Sequence, residues 1–223
     1  MTEAGAVTSL SHEEQFSHPE SVGRPTPGIE VRIVDDKSED VKDGEVGEML
    51  VRSGEPGAFT IMKGYFNRPE ETAKALREGW LYTGDLAYRD DRGYLYIADR
   101  KKDMILSGGF NIYSKEVESA LISHDDVADA AVVGVSDEMY GEAVAAFVEP
   151  EAVAKPSADD LITHCRAMIA SYKKPKYVVF VDTLPRNAIG KVLKHELRGL
   201  ALSLIHISEP TRPRLISYAV FCL

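Results

Sequence analysis

Five short stretches hold side chains that can do chemistry, four of them beside a glycine, a proline or the first residue. In Tyr82-Thr83-Gly84-Asp85 a carboxylate directly follows a glycine at the end of a strand-like run. An aspartate there is either a turn residue or a short acceptor for two vicinal hydroxyls, as on a ribose. Asp99-Arg100-Lys101-Lys102-Asp103 is a charge cluster. It reads as a solvated linker, or as a guanidinium fork for a ribose or phosphate oxygen beside a lysine pivot. Ser107-Gly108-Gly109-Phe110-Asn111 admits positive φ, as a hairpin turn or a weak phosphate cradle. Pro185 to Lys191 sets a lysine just past Gly190 on a proline-bounded loop, with Lys194 behind it. Such a lysine is a solvated cation or a mobile ammonium that bridges two anionic oxygens. Thr2-Glu3 would by itself be dismissed as a frayed end.

Stronger catalytic signatures are missing. The sequence has no Gly-x-x-x-x-Gly-Lys-Ser/Thr loop, no Gly-x-Ser-x-Gly elbow, no His-Glu-x-x-His and no Cys-x-x-Cys. Histidines 12, 18, 124, 164, 195 and 206 are scattered, so no metal cluster is expected. Whatever chemistry the chain does must come from carboxylates, lysines and arginines on loops. With 26 basic and 36 acidic residues the net charge is −10, which argues against a nucleic-acid partner. Lys101-Lys102 and Lys173, Lys174 and Lys176 are the basic groups, with few aromatics between them. Cys165 and Cys222 make no disulfide framework, so a reducing, cytoplasmic setting is expected. No apolar run reaches the ~20 residues of a membrane span, and residues 1–15 lack a signal-peptide pattern.

Two grammars of secondary structure position these stretches. From Gly28 to Leu95 the pattern is of short strands and turns: Ile29–Val34 alternates, Glu48–Val51 follows the glycines 44 and 47, and Tyr94–Ala98 follows the Asp90–Gly93 turn. Pro69 opens a short helix over Glu70–Leu76, stopped by Gly79. Strands of this kind predict a sandwich or small distorted barrel. The second grammar begins near Lys101: a strand at 104–106, a helix capped by Ser114, strands at 127–135 and 143–148 joined by Ser136-Asp137-Glu138, and a strand at 177–181. Ser157 with Asp160 resembles a capping box for a helix over Leu161, Ile162, Cys165, Met168 and Ile169. The fold class expected is α+β: a small β-rich, barrel-like module followed by a compact α+β lid domain. Residues 203–223 show no helix or strand period; with Pro210, Pro213 and a bare apolar finish they resemble translated adapter DNA. The whole of 199–223 is expected to be a non-native or disordered tail.

The order of the stretches says more than any one of them. Thr2-Glu3, Gly64-Tyr65-Phe66-Asn67-Arg68-Pro69-Glu70-Glu71-Thr72, Gly79-Trp80-Leu81-Tyr82-Thr83-Gly84-Asp85, Gly93-Tyr94 through Asp103, and Pro185 to Lys191 follow in sequence. Together they resemble the C-terminal half of the AMP-forming adenylate-forming enzymes, which include acyl-CoA synthetases, 4-coumarate-CoA ligases, luciferases and peptide-synthetase adenylation domains. The resemblance covers residues 1–198. It implies that Thr2 touches the α-phosphate and Glu3 holds Mg²⁺, and that Asp85 and Arg100 bind the ribose. Lys102 falls on the hinge, Gly109 on the pantetheine path, and Lys191 on the lysine bridging carboxylate and α-phosphate. The implied domains are 1–101, the β-rich end of the large AMP-binding domain, and 102–198, a mobile C-terminal domain.

The implied reaction joins a small carboxylate, ATP and CoA in two steps: acyl-AMP and pyrophosphate form, then thiol displaces AMP. Both partners in the first step are anionic, so placed positive charge is needed rather than a protein nucleophile. The family's phosphate loop and acyl pocket lie upstream of the Tyr-Gly-x-Thr-Glu segment in which Met1 falls. The chain is therefore expected not to adenylate alone. Lys173, Lys174 and Lys176 are expected near the CoA phosphates. The alternatives are an adenylation domain that loads a carrier protein and a non-catalytic remnant.

Overall fold

The computed structural model describes residues 1–53 and 61–208, with side chains to Ala201. It divides into two compact units, Met1–Lys102 and the chain from Asp103 onward.

In the first unit β1 (Thr8–Ser9) pairs with β2 (Arg24–Pro25), and α1 (His12–Ser17) lies between them in sequence. A five-stranded sheet follows: β3 (Ile29–Val34), β4 (Gly47–Ser53), β5 (Leu76–Arg77), β6 (Trp80–Arg89) and β7 (Leu95–Arg100). Its order is β3-β4-β6, with β5 and β7 both on β6, and every pairing is antiparallel. The expected barrel does not close among the described residues, because no strand joins β3 to β7 or β5. Ten-residue β6 serves two partners on one side instead, β5 at its start and β7 at its end. One face buries Ile29, Ile33, Met49, Val51, Leu81, Ala87 and Leu95. Helix α2 (Pro69–Ala75) begins with Pro at its first position, as the sequence predicts.

The second unit starts with a hairpin, β8 (Ile105–Ser107) and β9 (Phe110–Ile112), then α3 (Ser114–Ile122), β10 (Val127–Asp137), β11 (Gly141–Pro150), α4 (Ala158–Met168), a 3₁₀ turn (Ser171–Lys173), β12 (Tyr177–Phe180) and α5 (Lys194–Ser208). β10 and β11 pair antiparallel, while β12 runs parallel to β11, an arrangement that requires a crossover such as α4. Alternate residues of β10 and β11 feed two cores. Val132, Val144 and Ala146 meet α3 and α4; Val133, Ala145 and Phe147 meet Leu197 and Ala201 of α5. A sheet covered on both faces explains why these strands read as apolar runs without alternation.

Ser157 caps α4 in a complete capping box with Asp160. Ser114 does not cap α3. Tyr113 holds that position, and the buried Ser114 hydroxyl accepts from Lys194 Nζ at 2.6 Å. The turn between β10 and β11 falls at 138–140, two residues later than expected, because Asp137 Oδ1 accepts the Met139 and Tyr140 N–H groups at 3.1 and 3.0 Å. Helix α5 also runs to Ser208, five residues past the point where the sequence loses its period. Leu197 and Ala201, one turn apart and buried, anchor it, and no proline intervenes before Pro210. The rest of the expected tail, 209–223, lies outside the described residues.

Candidate functional site

Strand β6 bulges at its centre. Glu48 pairs with Leu86 and Leu50 with Tyr82, so Thr83-Gly84-Asp85 face Met49 alone. Three residues against one re-aim the side chains they carry. The Thr83 hydroxyl donates to the Met49 carbonyl at 2.7 Å and accepts the Asp85 N–H at 3.1 Å. The Lys101 N–H donates to the Gly84 carbonyl at 2.8 Å. Gly84 has φ 68°, a left-handed conformation that glycine adopts without a Cβ penalty. The bulge turns Asp85 toward Arg100, its register partner on β7, with Nε 3.0 Å from Oδ1. The aspartate side chain is 15% exposed and the arginine 46%. A sheltered acceptor thus sits beside a half-open donor fork.

Thr2, Glu3, Asp85 and Arg100 line one cavity of about 380 Å³. The Met62 N–H holds the Glu3 carbonyl at 2.7 Å, and the Tyr65 hydroxyl donates to Glu3 Oε1 at 3.4 Å. Burial, with the Glu3 carboxylate beside it, pushes the Tyr65 hydroxyl above its ordinary pKa. Tyr65 is a member of this site that the sequence reading did not assign. Its signal was the preceding Gly64, where a Cβ would come within 2.7 Å of Thr72. The Thr72 hydroxyl also accepts the Tyr65 N–H at 2.9 Å. For Mg²⁺, Glu3 offers one carboxylate, and no cluster of three or more His, Cys, Asp or Glu forms a metal site among the described residues. That fits an ion bound through one carboxylate, waters and nucleotide phosphates.

The charge cluster at 99–103 is not a solvated linker. Arg100 bonds Asp85, and Lys101 bonds Asp36 at 2.9 Å and Glu48 at 3.1 Å, all within the first unit. Burial alone would lower the Lys101 pKa; the two carboxylates outweigh it and raise it. Asp103 pairs with Arg198 of α5 at 2.8 Å, within the second unit. Lys102 is the last residue of the first unit.

Gly109 and Lys191 belong to the second unit. Gly108 and Gly109, with φ 58° and 83°, make the tight turn of the β8–β9 hairpin, the positive pair a two-residue turn requires. Beside it lies a cavity of about 820 Å³ whose walls include Gly108, Phe110, Tyr140, Tyr172, Lys174 and Lys176. The Phe110 and Tyr172 ring centroids are 4.9 Å apart. The lysine loop is tightly built. Leu193 N–H donates to the Pro185 carbonyl at 2.8 Å, and Asn187 N–H to the Lys191 carbonyl at 2.9 Å. Asn187 Oδ1 accepts from Ile189 and Lys191 N–H at 3.2 and 2.9 Å. Arg186 donates to the Gly190 carbonyl at 2.8 Å and pairs with Asp129. The Lys191 backbone is therefore fixed while the residue stays exposed. Lys194 is a structural cation, 2.7 Å from Glu118.

The sequence pattern described as AMP-binding enzyme matches residues 1–66, and that of the AMP-binding enzyme C-terminal domain matches residues 116–191. The chain belongs to the AMP-binding enzyme family. It is 41% identical over 201 residues to the long-chain-fatty-acid–CoA ligase of Salmonella typhimurium, covering 90% of this chain and 35% of the ligase. It is also 41% identical over 206 residues to the 2-succinylbenzoate–CoA ligase of a Geobacillus species, covering 90% of this chain and 40% of that one. Among solved structures, the Bacillus subtilis o-succinylbenzoate CoA synthetase in complex with its acyl-adenylate superposes with a TM-score of 0.78 at 38% identity. That match covers 86% of this chain and 38% of the synthetase. The amide bond synthetase of Marinactinospora thermotolerans matches with TM-score 0.78 at 38% identity, over 87% of this chain and 39% of that protein. The chain thus spans less than half the length of these relatives.

Proposed function

We propose that this chain is part of an ATP-dependent acyl-CoA synthetase. In the first step a substrate carboxylate oxygen attacks the α-phosphorus of ATP and the bond to pyrophosphate breaks, giving acyl-AMP. In the second the CoA thiolate attacks the acyl carbon and AMP leaves. Asp85 accepts the two ribose hydroxyls, Arg100 donates to the ribose beside it, and Thr2 donates to the α-phosphate. Glu3 would hold Mg²⁺, which supplies positive charge to the phosphates. Lys191 bridges the carboxylate and the α-phosphate, offsetting the repulsion between two anions as they approach. The observation that carries this reading is the sheltered Asp85–Arg100 pair, set by the bulge in the same cavity as Thr2 and Glu3.

Lys102 is the hinge about which residues 102–198 turn between the two steps. The division of the chain at this residue supports that role. The Gly108-Gly109 turn serves the pantetheine path. The aromatic walls and lysines 174 and 176 of the neighbouring cavity suit the adenine and phosphates of CoA. The substrate is an aliphatic or aryl carboxylate, and the setting is cytoplasmic, where a free thiol such as Cys165 persists. The 223 residues alone do not adenylate, because they hold no glycine-rich phosphate loop.

Carboxylate-dependent ATP–pyrophosphate exchange tests the proposal. The chain alone gives none; a longer protein containing this sequence gives robust exchange, which Lys191→Ala abolishes while sparing thioester formation from supplied acyl-AMP. Equal loss of both steps would refute the role of Lys191.

A further inference from the structure

Glu48 stands on β4 beside the bulge, in register with Leu86. Its side chain is only 12% exposed, an expensive place for a carboxylate unless both oxygens are used. Oε1 accepts the Gly84 N–H at 3.2 Å, and Oε2 accepts from Lys101 Nζ at 3.1 Å. The main-chain N–H of Lys101 returns to the Gly84 carbonyl. The peptide groups on both sides of Gly84 are thus tied to one carboxylate–lysine pair. Gly84 immediately precedes Asp85, and Lys101 immediately follows Arg100. Glu48 is not among the residues lining the cavity that holds Asp85 and Arg100.

We infer that Glu48 is a positioning residue of the nucleotide site: by clamping Gly84 and Lys101 it fixes the facing pair Asp85 and Arg100. This rests on the reading of that pair as a ribose site. A glutamate is required because one oxygen must serve an amide and the other an ammonium. Glutamine keeps one acceptor but not the charge, and alanine keeps neither.

The test is calorimetric binding of AMP and of 2′,3′-dideoxy-AMP to the 223-residue chain, with wild type, Asp85→Ala, Glu48→Gln, Glu48→Ala and Lys101→Met. Wild type binds AMP more tightly than the dideoxy compound, and Asp85→Ala removes the difference. Glu48→Ala weakens AMP about tenfold, as loss of a charge-assisted grip allows, and leaves dideoxy-AMP unchanged. Glu48→Gln and Lys101→Met fall between wild type and Glu48→Ala. Amide exchange at Gly84 accelerates in Glu48→Ala. If Glu48→Ala fails to fold, the Glu48→Gln variant carries the same comparison. AMP affinity within twofold of wild type in the Glu48 variants, or equal losses for both nucleotides, overturns the inference while leaving the ribose reading intact. A wild-type chain that does not distinguish the two nucleotides overturns both.

Discussion

Replacing Asp85 by alanine removes the acceptor on which the nucleotide reading depends, and its cost can be worked from the site. The carboxylate is 15% exposed, so hydrogen bonds to it are little diluted by water. A hydrogen bond to a charged group contributes about 1.5–3 kcal/mol net, and two vicinal hydroxyls give at least about 3 kcal/mol together. At 1.4 kcal/mol per decade the AMP dissociation constant rises about a hundredfold or more. Folding suffers far less, since Arg100 is 46% exposed and such a pair contributes at most about 1 kcal/mol. Calorimetry with AMP and 2′,3′-dideoxy-AMP closes a cycle that separates the two effects. Wild type should lose about a hundredfold on removal of the hydroxyls, and Asp85→Ala should lose nothing further. If Asp85→Ala weakens both nucleotides equally, the carboxylate organises the bulge without touching ribose, and the reasoning fails.

Three further outcomes follow from the same packing. The Glu14 carboxyl is held down at about 2, against an ordinary 4.5, chiefly by the Ser11 N–H and then by the Tyr94 hydroxyl. A depressed folded-state pKa stabilises above the unfolded value and loses that contribution as pH falls. The thermal-midpoint gap between wild type and Glu14→Gln should therefore be full above about pH 5 and shrink steadily toward pH 2. Gly47→Ala should unfold at much lower urea than Gly44→Ala. Its Cβ would meet the Val34 carbonyl oxygen at 2.4 Å, whereas Gly44, with φ 86°, has open space. The first forces β3 from β4, while the second costs only about 1–2 kcal/mol of left-handed strain. Burial pushes the Cys165 thiol up to about 11, so peptide mapping should find it unlabelled by iodoacetamide at pH 8 until urea is added.

What the sequence conveyed depended on how local the determinant was. Strand β3, helix α2 and the capping box of α4 each rest on neighbours within a few residues, and all three stand where their patterns put them. Ser114 misled because its hydroxyl is claimed by Lys194, eighty residues away, and a cap pattern cannot see that competitor. Closure of the first sheet misled for a similar reason. Strand count and turns predict antiparallel pairing, but only the division of β6 between β5 and β7 decides that the sheet stays open among the described residues. The grouping of Thr2, Glu3, Asp85 and Arg100 around one cavity was legible as residue types. Its construction was not. The bulge arises from register against Met49, and Tyr65 and Glu48 act through partners 62 and 36 residues distant.

The charge run at 99–103 shows how composition can hide an organised boundary. Five charged residues in a row have the look of a solvated tether, yet the bonds divide by side. Asp99 is buried and accepts the Arg100 N–H; Arg100 and Lys101 are drawn onto β4, β6 and the Asp36 turn. Asp103 is buried and drawn onto α5 by Arg198.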